Sequence, residues 1–139
     1  MVVYTKEIRV SCKADGDMQD ITGEVSRAVK ESRIKNGIVN IFIIGSTGAI
    51  TTIEYEPGLK KDFPRAMERI APSDIEYEHH KTWGDDNGRS HVRASIIGPS
   101  LTIPIIKGEL PLGTWQQIVA INFDTKDRNR RIIIQIYGE

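Results

Sequence analysis

The run GIVNIFII at residues 37–44 is the tightest constraint on how this chain can fold. Asn40 is its one polar side chain, and β-branched or aromatic residues fill most of the rest. Eight residues is strand length, and near-continuous apolarity marks a strand buried on both faces, so the run is expected at the centre of a sheet. Gly45-Ser46-Thr47-Gly48 then turns the chain. AITTIEY at 49–55 reads as a second strand, with Ile50, Thr52 and Glu54 on one face and Thr51, Ile53 and Tyr55 on the other.

The flanking segments complete an α+β domain. VYTKEIRV at 3–10 alternates as a half-buried strand that Asp15-Gly16-Asp17 ends. From Asp20, an N-cap type, Ile21, Val25, Ala28 and Val29 recur at helical spacing to about Arg33, with Asn36-Gly37 as the stop signal. Lys60 to Ile70 carries Phe63, Ala66, Met67 and Ile70 at three- and four-residue intervals, a second helix with Pro64 expected near its first turn. A polar loop is expected from His79 to His91. Val92–Ile97, Leu101–Ile106, Trp115–Phe123 and Ile132–Tyr137 then read as four more strands broken at Gly98-Pro99, Lys107-Gly108 and Lys126 to Asn129. About seven strands with two main helices, both in the first half, fit an antiparallel or mixed sheet system with the helices on one side, in one domain of 139 residues.

Charge and cysteine content exclude several classes. The 19 basic and 19 acidic residues cancel, and the densest basic run, Lys126 to Arg131, is short and contains Asp127, so no nucleic-acid partner is expected. Cys12 is the one cysteine and has no partner for an internal disulfide; it reads as a small filler at a strand end. No apolar stretch approaches the roughly 20 residues that span a bilayer, so the expectation is a cytoplasmic protein without a membrane partner.

Polar groups that could carry chemistry concentrate between residues 79 and 117, which hold all three histidines and both tryptophans. His79, His80, Asp85, Asp86, Asn87 and His91 supply nitrogen and oxygen ligands within thirteen residues, but match no strict zinc spacing. The segment is either a metal or phosphate site containing His91 and an acid, or a solvated loop. The Gly45–Gly48 turn can aim amides and hydroxyls at an anion, although it lacks the lysine and helix of a P-loop. Glu54 is a candidate base or metal ligand, Trp115 is expected in the core, and Arg130 and Arg131 read as a solvated strand start.

NGRSHVRASIIGPSLTIPIIKGELPLGTWQQI, followed by NFD and a terminal IYGE, resembles the YjbQ-like family, also called secondary thiamine-phosphate synthases. STGAITTIEYEPGLKKD resembles the earlier HTTA…INE…D segment of that family. The resemblance implies a sandwich-like α+β fold, a homotrimer with a polar pocket close to the subunit interface, and a weak ability to join a pyrimidine diphosphate to a thiazole phosphate. It maps Glu54 to the acid of the early motif, Asp86, Asn87, Gly88 and His91 to the later one, and Thr114, Trp115 and Gln116 to the LGTWQ signature. Two family histidines are replaced, by Gly45 ahead of Ser46-Thr47 and by Arg89, whose guanidinium fork suits phosphate. A transferase would hold phosphate with Ser46, Thr47, Arg89 and His91, and place Mg²⁺ or another divalent metal on Glu54, Asp86 or His91. The alternative is a non-catalytic trimer that binds a metal or small anion.

Overall fold

The computed structural model describes the whole chain, Met1–Glu139, as one α+β domain. A four-stranded antiparallel sheet is ordered β1 (Val2–Cys12), β7 (Arg128–Gly138), β3 (Gly37–Ile43) and β5 (Ser100–Ile105). A three-stranded antiparallel sheet is ordered β2 (Asp17–Asp20), β6 (Gln117–Asn122) and β4 (Gly48–Ile53). The helices are α1 (Thr22–Ser32), α2 (Leu59–Ile70), α3 (Glu78–Trp83) and α4 (Gly88–Ile97).

Two apolar clusters make three layers. Val39, Ile41 and Ile43 of β3 and Ile132, Ile134 and Ile136 of β7 face Ile50, Ile118 and Ala120 of the second sheet, and α1 adds Val25, Ala28 and Val29. The other face of the second sheet presents Ala49, Val119 and Ile121, and Phe123 just beyond β6, to Met67 of α2 and Ala94 of α4. Strand β6 therefore alternates between two cores, and all of Ile118–Asn122 is buried. Each fully buried aliphatic side chain contributes roughly 1.5–3 kcal/mol by transfer from water, so a charge at Ile118 would break the packing of the first cluster and a charge at Ile121 that of the second.

The GIVNIFII run does lie inside a sheet, but its burial on two faces is not found. Ile38 is 45% and Phe42 42% exposed, because no helix or sheet covers the outer side of β3. The doubly buried strand is β6 instead. Val92–Ile97, expected as a strand, belongs to α4, and the expected His79–His91 loop is α3, a turn and the first turn of α4. In α4 the buried positions are Gly88, Ser90, Arg93 and Ala94, a helical spacing disguised by polar side chains. Arg93 is buried because its Nη2 donates to Glu68 at 2.7 Å and to the Ala71 carbonyl at 2.8 Å.

Smaller departures have local causes. α1 stops at Arg33, which takes the left-handed conformation at φ 60°, rather than at Asn36-Gly37. Asp20, expected as the N-cap, stands one residue ahead of it: the N-cap is Ile21, whose side chain cannot cap, and Asp20 instead accepts from the Thr22 amide at 3.0 Å and hydroxyl at 2.6 Å. Pro64 is the sixth residue of α2, beyond the first turn, so the helix runs through a missing donor. Cys12 is buried at the end of β1, where burial and the nearby Asp17 raise its thiol to about 11. No helix is long and apolar enough to cross a membrane.

Candidate functional site

The ends of β3, β6 and β7 and the start of α4 converge on a polar cavity of about 240 Å³, lined by Ser46, Thr47, Asn87, His91, Asp124 and Arg130, with Gly45 and Arg128 completing the wall. Its floor is Arg130, the third residue of β7. Residues 130, 132, 134 and 136 share one face of the strand, and that face is the buried one, so the guanidinium is carried inside and is 5% exposed. Its Nη2 donates at 2.6 Å to both the Thr47 hydroxyl and the Asn122 side-chain oxygen, while Nε finds no partner. No carboxylate pairs with it directly. Burial pulls its pKa down, against the raising charge of Asp124.

Gly45 makes room for this arginine. It sits at φ +118°, and a Cβ there would stand 2.5 Å from Arg130 Nη1. The turn is tied to β6 by the Phe123 amide, which donates to the Thr47 carbonyl at 2.9 Å. Asp124, just past β6, accepts from the Thr47 hydroxyl at 3.1 Å, Arg128 Nη2 at 2.8 Å, the Thr125 amide at 2.7 Å and Asn87 Nδ2 at 3.4 Å. Burial works against its charge, but the Arg128 and Thr125 hydrogen bonds, the Arg128 charge and the Asn87 amide outweigh it, so its pKa lies below the ordinary value. The carboxylate is thus fully spoken for by donors. Arg128 and Arg130 leave the cavity with excess positive charge, which suits an anion.

The roof comes from Asn87 and the first turn of α4, with α3 packed behind them. Asn87 accepts the Ser90 and His91 amides through its carbonyl and meets His79 Nε2 at 3.1 Å through its side chain. His79 also lies 3.2 Å from Asp85, and its ring is 4.5 Å from that of His91. Burial and the neighbouring His79 lower the pKa of His91, against Asp124 and Asp85, which favours a neutral imidazole at the cavity. His80 turns away and accepts from the Gly88 amide at 3.0 Å. Gly88 is required there because a Cβ would collide with Tyr77.

Among the residues singled out in the sequence, Ser46, Thr47, Asn87 and His91 meet at this cavity, with Gly88 next to it. Asp86 is not among the lining residues and accepts from Thr125 Oγ1 at 3.4 Å. Arg89 does not offer its fork to the cavity, since Nη2 is paired with Asp15 at 2.9 Å. Glu54 and Thr114 line a separate cavity of about 250 Å³ with Asp20, Glu56 and Gln117. Gln116 is nearby, donating to Thr52 at 3.3 Å. Glu54 lies beyond the far end of β4 from Thr47, roughly 20 Å along the strand at about 3.3 Å per residue. Glu54, Asp86 and His91 are therefore not gathered in this chain, and no three His, Cys, Asp or Glu side chains form a metal-holding group. One chain's residues do not fit a protein-built Mg²⁺ cage. Trp115, expected in the core, is 70% exposed.

The residues missed in the sequence are Asp124, Arg128 and above all Arg130, read there as solvated. The signal was available: extending the alternation of Ile132, Ile134 and Ile136 backwards puts Arg130 on the buried face.

The family described as UPF0047 protein YjbQ-like matches residues 6–139. A UPF0047 protein of Methanothermobacter thermautotrophicus is 40% identical over 139 residues, covering 100% of this chain and 95% of the relative. The Bacillus subtilis UPF0047 protein YugU is 31% identical, covering 96% and 98%. The crystal structure of a YbjQ-like protein of unknown function from Sulfolobus solfataricus superposes with a TM-score of 0.93 at 35% identity, covering 99% of each chain.

Proposed function

The chain belongs to the YjbQ-like UPF0047 family, and from that membership and the arginine-floored cavity we propose that it binds a phosphorylated small molecule and acts as a transferase of the thiamine-phosphate-synthase kind. The observation that carries the reading is Arg130, a buried guanidinium without a carboxylate partner beside free space. Burying an unpaired cation is expensive, and an anionic ligand that meets it offsets the expense. In the proposed reaction a thiazole nitrogen attacks the methylene carbon of a pyrimidine diphosphate. The carbon–nitrogen bond forms as the carbon–oxygen bond breaks, and diphosphate leaves with the electron pair. Arg130 and Arg128 would neutralise the charge that grows on this leaving group, and Ser46 and Thr47 would orient its oxygens. The working assembly in this reading is a homotrimer.

The second reading, a trimer that binds an anion without catalysis, is favoured by the separation of Glu54 from His91 and by a cavity of about 240 Å³, small for two substrates. Titrating inorganic phosphate, diphosphate and the two thiamine precursors into the protein separates them. Phosphate and diphosphate should bind, and Arg130→Met should weaken both at least tenfold, since hydrogen bonds to a charged group contribute about 1.5–3 kcal/mol. Undiminished affinity in that variant would falsify the anion site. Thiamine phosphate formed from both precursors, and lost in His91→Ala without loss of assembly, supports transfer; binding without any product supports the second reading.

A further inference from the structure

We infer that Asn122 is the positioning residue of the anion site: as an uncharged acceptor it holds the Arg130 guanidinium so that Nη1 faces the cavity with its positive charge uncancelled. This rests on the anion reading of the cavity above. Strand β6 sends Ile118 and Ala120 into the core between the two sheets, and the same alternation carries Asn122, the last residue of the strand, to that side. Arg130 arrives from β7 by the same rule, on the face of Ile132, Ile134 and Ile136. The two side chains meet where the apolar layer ends, and Asn122 is fully buried there.

Every hydrogen-bonding position of the Asn122 side chain is used. Oδ1 accepts from Arg130 Nη2 at 2.6 Å and from the Asp124 amide at 3.2 Å, while Nδ2 donates to the Lys13 carbonyl at 2.9 Å and the Lys126 carbonyl at 3.0 Å. Two donors on one side and two carbonyls on the other allow the amide a single orientation. A carboxylate of the same shape could accept from the first pair, but it would face both carbonyls with no proton to give. It would also pair with Arg130 and cancel its charge. The Thr47 hydroxyl, the other acceptor of Nη2, is uncharged as well. With Nη2 held by two neutral oxygens, Nη1 has no hydrogen-bond partner in the chain and stands against Gly45, in the wall of the cavity. Asn122 is not part of that wall, so it acts on an anion only through Arg130.

The test is calorimetric titration of the full chain with sulfate, which stays a dianion throughout the neutral pH range. Asn122→Ser should bind sulfate about tenfold more weakly than the unaltered protein, the size of one hydrogen bond to a charged group. Asn122→Asp, close to the original shape, should bind at least about tenfold more weakly again, because its carboxylate neutralises Arg130. Melting curves establish that each variant is folded. A side chain that only braced the turns at Lys13 and Lys126 would make the two variants equal. Arginine side-chain NMR of the unaltered protein decides without any variant: sulfate should move the Nη1 protons of Arg130 and leave the Nη2 protons, held by Asn122 and Thr47, in place. Equal affinity in the two variants, undiminished affinity in Asn122→Ser, or displacement of the Nη2 protons overturns the role of Asn122 while leaving the anion site standing. Sulfate that does not bind the unaltered protein overturns the anion site and this role with it.

Discussion

Asp124 is the residue through which the cavity's floor and roof communicate, since its two oxygens join Thr47 and Arg128 to Asn87. Its carboxyl titrates below the ordinary 3.8 in the folded protein, so the folded state binds this proton less readily than the unfolded chain. The stability it contributes is complete above pH 3.8 and is lost as the pH falls through the folded value. Asp124→Asn should accordingly be less stable at neutral pH and show a shallower loss of stability below pH 3.8. Urea midpoints measured from pH 6 to pH 2.5 check this, and parallel curves for the two proteins would refute it. Asp124 was not legible in the sequence, because an acid after a strand is ordinarily a turn residue. Ser46, Thr47, Asn87 and His91 were legible, because hydroxyl, amide and imidazole groups beside turn glycines have few other uses. Arg130 was passed over because a guanidinium at a strand start is usually solvated. Only the parity of Ile132, Ile134 and Ile136 said otherwise, and it took a partner network of Thr47 and Asn122 to make burial tolerable.

At the scale of elements, the strands were the easier reading, since β1, β3, β4, β5, β6 and β7 each carry a β-rich apolar run. β2 has four residues and one buried side chain, Met18, too little for a periodic signal. α4 was misread because SIIG at its end looks like a strand and because Arg93, on its inward face, looks like a surface residue. That arginine fixes the helix to α2: besides Glu68 it satisfies the Ala71 carbonyl, the C-cap residue of α2. Arg93→Ala leaves a buried carbonyl without its donor and removes the tie between the helices, at a cost of about 2–3 kcal/mol. Urea unfolding should register that loss, and because α4 also carries His91 the affinity for phosphate should fall with it. A change below about 0.5 kcal/mol, the size of an ordinary surface substitution, would sink this account of α4.

For the whole molecule, the uncovered side of the four-stranded sheet sets the expectation for assembly. Ile38, Phe42 and Tyr137 are 45%, 42% and 46% exposed, and Ile38 and Tyr137 pair directly across β3 and β7. A trimer that buries this side should give a light-scattering mass of three times 15.6 kDa, and Ile38→Lys with Tyr137→Lys should return it to 15.6 kDa. A trimer that survives both changes has its interface elsewhere. The apolar runs gave the strands, and the sandwich-like layering was implied by the family resemblance, although the strand covered on both sides turned out to be β6. That strand has a consequence for motion. Its amides lie between two cores and between two neighbouring strands, so they should exchange with deuterated solvent only when the entire domain opens. Asn122 and Asp124 leave from the end of this slowest-exchanging strand, while the short α3 has no buried residue and can fray by itself. Asp124 is thus anchored to the least mobile strand, whereas α3, whose His79 touches Asn87 and His91, can open on a timescale far shorter than that of unfolding.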